Sequence, residues 1–537
     1  MRPFLFYGGL FFLFLTGCYK RNFENLRLAD ANPTVLYPLV DASLTLKDIV
    51  DPVKSKLFIE EDADGFYTFV YYDEVYEKKI SDLLVIPDVN RSNNINLTAG
   101  EVSSLPGSGT ISKTLTGTIV LPLSNGAELH EVIAKSGNLN FSLSSTFRHN
   151  VRAIITFPSL TNNGVALTRT INLAYNTTVP VAQQVNVDLA GYIMDLTNGG
   201  ASNNRIPYSI AFTVTYKSGS PVNTGQQLTV LSSLSNIQYS YAEGYLGMYN
   251  MSIPLDTVNV DIFDNAFAGN IFFEDPKVRV VIKNSIGAPS QLKINTLSTK
   301  SRITGVSPIT GSVINTDIPI LFPTLAQIGQ TFSTTIQLDK TSSNVQTVFN
   351  PAPSEVYYAL SGTINPSGKT VNFVTDSSSI KIIAEAEIPM EGRIVNFVLL
   401  DSVSGLTFPA LDFNDGQIKL NDVLANFEVT NGFPMTAYVQ MYFLDNVNFV
   451  VDSLFKNGPA EVQAPSLNTS GRVETPIVYM FREYMDDDRY LNISSTSSAI
   501  VVVQFKTPNS GTIPVRIYSD YRFKTRLGVK VNANVSF

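Results

Sequence analysis

Lys56-Leu-Phe-Ile59 and Phe66-Tyr-Thr-Phe-Val-Tyr71 flank a polar cluster that ends in Asp64-Gly65. Both flanks are rich in β-branched and aromatic residues, and Asp-Gly supplies the positive φ that a tight hairpin needs. The stretch predicts two antiparallel strands. Moving outward, Asp415-Gly416 stands likewise between Leu411-Asp-Phe413 and Gln417-Ile-Lys-Leu420. Residues 151–157, 210–216, 278–282, 380–384, 427–430, 438–444, 500–505 and 513–518 are further strand candidates, short and bounded by turn residues. In 438–444 one alternation set among Tyr438, Val439, Met441 and Phe443 is expected to face a core. Many short strands and few helices predict an all-β fold of tandem β-sandwich domains, Ig-like or similar, with a few short helices.

The strongest helix candidate runs from Pro476 to about Tyr484. Thr475 suits an N-cap, Pro476 the first helical position, and Ile477, Met480, Phe481 and Tyr484 share one helical face. Lys47–Val50 and Leu129–Lys135 are expected to form further short helical turns.

One pattern recurs. An apolar strand ends in Asn, a small turn follows, and Pro opens a second strand. It occurs at Val281-Ile-Lys-Asn284-Ser-Ile-Gly287-Ala-Pro289 and at Phe427-Glu-Val-Thr-Asn431-Gly432-Phe-Pro434. A looser copy spans Leu196-Thr-Asn198 to Ile206-Pro207. Asn and Gly tolerate positive φ, and Pro fixes the start of the next strand. A repeated β-sandwich module and three unrelated hairpins both fit. In the modular reading the pattern resembles the water-stress and late-embryogenesis β-sandwich.

The first residues are Met1-Arg2-Pro3, then an apolar run from Phe4 to Leu15 broken by Gly8-Gly9. A bilayer-spanning helix needs about 20 apolar residues, so this run fits a secretory signal better. Leu15-Thr16-Gly17-Cys18 follows and resembles the lipobox of bacterial lipoproteins. The resemblance implies a diacylglyceryl group on the Cys18 thiol and cleavage between Gly17 and Cys18. Cys18 is the single cysteine of 537 residues, so it has no disulfide partner in the chain and lipidation gives it a use. Two or more acyl chains make a stable anchor, at about 0.8 kcal/mol per buried CH₂. Leu36-Tyr-Pro-Leu-Val40, Leu44-Thr-Leu-Lys-Asp48-Ile, the Asp-Gly hairpin and the Asn/Ser/Thr-rich composition resemble the large envelope lipoproteins of Bacteroidetes-type bacteria. Surface export in that group implies acidic residues just after the cysteine. Here Tyr19-Lys20-Arg21-Asn22 is basic, so the periplasmic side of an outer membrane is expected.

The expected organisation is a signal peptide over 1–17, a tether over 18–33, an N-terminal β module over 34–120, β-sandwich domains over 121–250 and 251–385, and a C-terminal sandwich over 386–537. Charged residues are 16% and the net charge is −8. No basic block exceeds two residues, as at Lys20-Arg21, which leaves nucleic-acid binding without an electrostatic footprint.

His130 and His149 are the only histidines. No Gly-x-Ser-x-Gly, His-Glu-x-x-His or P-loop pattern occurs. No catalytic residue, metal ligand or cofactor is therefore assigned. A carboxylate pair serving as glycosidase acid and base stays open, since it needs neither His nor Cys. Glu60-Glu-Asp-Ala-Asp64-Gly65 fails the calcium-loop spacing and reads as a solvated turn. Asp486-Asp487-Asp488, with Glu483, reads as a polar helix terminus. Tyr71-Tyr72 and Tyr239-Ser-Tyr241 to Tyr245 fit either core packing or sugar stacking. The expected function is a non-enzymatic envelope protein that binds or scaffolds envelope proteins or glycans. A polysaccharide hydrolase, a glycan-binding lipoprotein and a lipid-carrying β-roll are the alternatives. A cleft with paired carboxylates would favour the first of these, an apolar tunnel the last.

Overall fold

The computed structural model describes residues 32–49, 57–259, 266–301, 303–408 and 418–535. Gly17, Cys18, nearly all of the expected tether and the Asp415-Gly416 hairpin lie outside them. The described chain is all-β, with a few short helices.

The hairpin forms as predicted. Leu57–Glu61 pairs antiparallel with Tyr67–Lys79. In its turn Asp62 Oδ1 accepts the N–H groups of Asp64 (2.9 Å) and Phe66 (2.8 Å), and Gly65 takes φ +81°. A side-chain carboxylate thus holds the turn closed.

The strands sort into three sandwiches of one topology. In the first, a sheet runs in the order Val89–Asn96, Gln227–Tyr245, Glu128–Ser145, Val181–Asp188. It faces a layer ordered Thr110–Val120, Arg205–Thr215, Asn150–Asn162, Val165–Leu173. The second repeats this order with Tyr67–Lys79, Ser379–Pro389, Lys277–Asn284 and Phe332–Leu338. Opposite lie Tyr249–Asn259, Glu355–Ile364, Ser290–Ser301 and Gly305–Pro308. The third has Thr34–Leu44, Phe523–Val535, Ile418–Asn431 and Ile477–Met485. Its facing sheet is Glu391–Ser404, Ser498–Lys506, Thr436–Leu444 and Val450–Ser453.

The segment expected to be an N-terminal module of its own is not one. Three of its strands, Thr34–Leu44, Tyr67–Lys79 and Val89–Asn96, add to the third, second and first sandwich in that order. Each covers one side of a strand that would otherwise be an open edge. Thr110–Val120, the last strand before the expected boundary at 120, belongs to the first sandwich.

The Asn corners explain the repeat. Lys277–Asn284 and Ile418–Asn431 both end on a buried Asn, after which the chain crosses to the facing sheet. Asn284 Oδ1 accepts the Ile286 N–H (2.9 Å), and Asn431 Oδ1 accepts the Phe433 N–H (3.0 Å). In the first sandwich Ser145 fills this place and its Oγ accepts the Phe147 N–H (3.2 Å). The residue two positions on is buried and apolar in all three. The looser sequence copy at Asn198–Pro207 is not such a corner; Asn198 sits at φ +51° in a turn before Arg205–Thr215.

Other expectations change. Residues 477–485 form a strand, not a helix, paired with Ile418–Asn431 along its length. Ile477, Tyr479 and Phe481 point inward while Val478, Met480, Arg482 and Tyr484 are exposed, a period of two that suits aromatic and β-branched residues. The helix begins just afterwards, Asp487–Ser494, with Asp486 capping the Arg489 N–H (2.9 Å). Leu129–Lys135 is likewise strand, within Glu128–Ser145. Leu46–Ile49 is a short helix, close to the expected turn. Of 513–518 only Val515–Arg516 is strand.

Contacts between sandwiches are also repeated. Asn372–Thr375, in the loop before the last strand of the second sandwich, pairs with Tyr241–Gly244 at the foot of the first. In the third, Ile517 occupies the corresponding loop and bonds to the foot of the second: the Tyr67 N–H donates to its carbonyl (3.3 Å), and its N–H donates to the Met390 carbonyl (3.0 Å). Gly287 passes flat against Phe373, where a Cβ would lie 2.2 Å from the ring. The order in space is therefore third, second, first.

Candidate functional site

Outward-facing residues of the first sandwich follow from register. Three successive rows cross its four-stranded layer: Asn94, Thr229, Ser144, Ala182; then Ser92, Leu231, Ser142, Gln184; then Asn90, Ser233, Asn140, Asn186. Side chains alternate between faces along a strand. The intervening Leu143, Phe141, Val230 and Leu234 go inward to the core. The second and third of these rows line an open hollow of about 660 Å³, a volume in the range of small-molecule sites, about 300–1,000 Å³.

None of these outward positions carries a charge. Arg91, on the edge strand, is the one charged residue among those lining the hollow. Leu231 stands in the middle row, 47% exposed. At one end Thr229 donates to Asn94 Oδ1 (2.8 Å). Among the described residues, Asn90, Ser92, Asn140, Ser142, Gln184 and Asn186 make one side-chain hydrogen bond within the protein, from Asn186 to Asn138 Oδ1 at 3.4 Å.

The same rows in the other sandwiches carry charged residues, several of them paired. In the second, Arg279 bonds Glu385 at 2.6 Å and Lys381 pairs with Glu77 (3.2 Å) and Glu74 (3.3 Å). In the third, Arg526 reaches Asp41 (3.4 Å) and Glu428 (3.6 Å). Ion pairing there engages part of the surface internally, whereas the first sandwich leaves neutral donors and acceptors free.

No family model matches the chain, and no curated protein does. Solved structures similar to it include a protein of Parabacteroides distasonis ATCC 8503 designated secreted, at 10% identity, covering 93% of this chain and 99% of that one with a TM-score of 0.29. Another is infectious bursal disease virus Gx strain, at 8% identity, covering 91% and 86% with a TM-score of 0.16. At these scores neither likeness bears on function.

The residues singled out from sequence fall elsewhere. His149 is buried at the corner after Ser145; its Nδ1 accepts the Lys217 N–H (3.1 Å), and burial lowers its pKa. His130 is half-buried near the start of the same long strand, Glu128–Ser145. Tyr71 and Tyr239 are core residues, and Tyr239 donates to the Leu84 carbonyl (3.3 Å). Tyr72 lies on the charged face of the second sandwich. Glu483 and Asp452 both pair with Arg489 at the start of the last long helix.

A row of carboxylates was not expected. Glu131 pairs in register with Glu243 on one side and Asp195 on the other. Tyr241 donates to Glu243 Oε2 (2.6 Å). Burial, then Glu243 and Asp195, raise the Glu131 pKa above the usual carboxylate range. None of the three lines the hollow. Among the described residues no group of His, Asp and Glu is arranged to hold a metal, and no helix is long and apolar enough to cross a membrane. Between the sheets of the second sandwich lies an apolar void of about 50 Å³ beside Tyr71, Val280, Ile294 and Leu360.

Proposed function

We propose that this protein is a lipid-anchored envelope protein without enzymatic activity, which holds its first sandwich away from the membrane to bind a ligand. One observation carries the reading. Thr34 pairs with Asn532 at the end of the third sandwich turned away from the second, so a lipid on Cys18 would attach beside the third. The stack then runs outward, and the first sandwich with its free polar hollow is the farthest. Strand lengths give a span on the order of 100 Å at about 3.3 Å per residue.

The basic run Tyr19–Asn22 supports the periplasmic leaflet of an outer membrane. Cys18→Ala tests the anchor: the variant is expected to lose lipid labelling and to remain an uncleaved or mislocalised precursor. A variant that partitions into detergent like the parent contradicts it. Protease added to intact cells tests the side, with the protein expected to survive; rapid loss would reverse that assignment.

A further inference from the structure

We infer that the ligand of the first sandwich is a neutral glycan, bound across the rows of Asn90, Ser92, Asn140, Ser142, Gln184 and Asn186. The inference rests on the binding role proposed above and adds the chemistry of the ligand. The three sandwiches supply an internal comparison. One topology and one register place equivalent positions at the same distance from the corner residues Ser145, Asn284 and Asn431. In the second sandwich these positions include Glu74, Glu77, Arg279, Lys283, Lys381 and Glu385. In the third they include Asp41, Glu428, Arg482, Lys524 and Arg526. Solubility of an exposed sheet face is thus met by charge twice and by amides and hydroxyls once.

That difference selects a ligand class. Each carboxamide offers a donor and an acceptor, and each hydroxyl can serve as either. Sugar hydroxyls have the same dual capacity, so the two sets can pair without an orphan group. A neutral face also escapes the cost of stripping water from charges, which the ion-paired faces would incur. Leu231, in the middle row, gives an apolar contact for the C–H face of a sugar ring. Neighbouring strands are about 4.8 Å apart and successive outward residues about 6.6 Å apart, so the face is a grid of polar groups, suited to an extended chain. Arg91 at the rim is the one group that would favour an anion.

The test uses the chain made without residues 1–17 and carrying Cys18→Ser, so that failure of the anchor does not affect the outcome. Affinity electrophoresis is run in gels containing mannan, laminarin, starch, xyloglucan, polygalacturonate or chondroitin sulfate. Retardation by at least one neutral polymer is expected, with a Kd weakened at least 10-fold in Asn140→Ala/Asn186→Ala and in Ser142→Lys. Thr335→Lys, at the equivalent row of the second sandwich, should bind as the parent does. Unchanged melting of the variants establishes that they fold. Retardation by the acidic polymers alone, lost in Arg91→Ala, overturns the inference. So does binding that the face variants leave intact, or no retardation by any neutral polymer. A concentration-dependent dimer abolished by Ser142→Lys, without glycan binding, would assign the face to a second copy instead and equally overturn it.

Discussion

Asn431 shows how much one side chain carries. It is fully buried, accepts the Phe433 N–H, and donates to the carbonyls of Met435 (2.8 Å) and Gln463 (3.1 Å). Asn431→Ala would leave these groups in the core without partners, at about 1–3 kcal/mol each. Ser145 has one such bond, to Phe147. Asn431→Ala is expected to cost about 3 kcal/mol and Ser145→Ala about 1 kcal/mol. Urea unfolding of each variant, with hydrogen exchange at Phe433 and Phe147, checks the ranking; equal, small losses would show that the corners are not held this way. Glu131 gives a second prediction, from the sign of its shift. Its folded pKa is raised, so the ionised form is the one disfavoured by folding. The cost is absent below the ordinary carboxylate range, grows as pH rises from there through the raised folded value, and is full above it. Glu131→Gln should therefore melt higher than the parent at neutral pH, with the gain vanishing at low pH. A pH-independent difference would mean that Glu243 and Asp195 do not act on it. Asn284 and Asn431 were legible in the sequence because each precedes a Pro-opened strand. Ser145 was not, because no Pro follows and Ser does the same work with a different atom. Glu131, Glu243 and Asp195 lie far apart in sequence, and register alone brings them together.

At the scale of elements, strand type was legible where alternation was strong. Thr436–Leu444 buries Ala437, Val439, Met441 and Phe443 on one side, as its pattern predicts. Ile477–Met485 misled because a Thr-Pro start and an apolar set at helical spacing mimic a helix; pairing with Ile418–Asn431 decided otherwise. The N-terminal strands were legible as strands and not as parts of distant sheets. Nothing local in Thr34–Leu44 names Phe523–Val535 as its partner. This pairing makes a prediction. Removing residues 34–44 exposes one side of Phe523–Val535. Hydrogen exchange is expected to speed up there and to stay slow in Gln227–Tyr245, which has its own partner in Val89–Asn96. Uniform loss of protection would indicate one cooperative unit rather than three separately closed sandwiches.

For the whole molecule, the all-β fold followed from composition and turn spacing, but the return path of the chain did not. The chain runs outward through three added strands and comes back through three complete sandwiches, so residue 34 and residue 532 end side by side. The neutral hollow was invisible for the same reason: Asn90, Ser142, Gln184 and Leu231 come from four separate strands and meet through register. Single residues gave no signal, since Asn and Ser are abundant throughout.

The most direct test of the account is the height of each end above a membrane. If Cys18 is lipidated as proposed, its thiol is consumed, so Thr34→Cys and Asn223→Cys each supply one free thiol for a donor dye, at the foot of the third sandwich and in an exposed loop of the first. Lipidated protein is placed in vesicles that carry an acceptor dye on the headgroups, and energy transfer is measured. Strong transfer from residue 34 and weak transfer from residue 223 are expected; equal transfer from both, or stronger transfer from residue 223, would contradict a stack that holds the first sandwich farthest from the membrane.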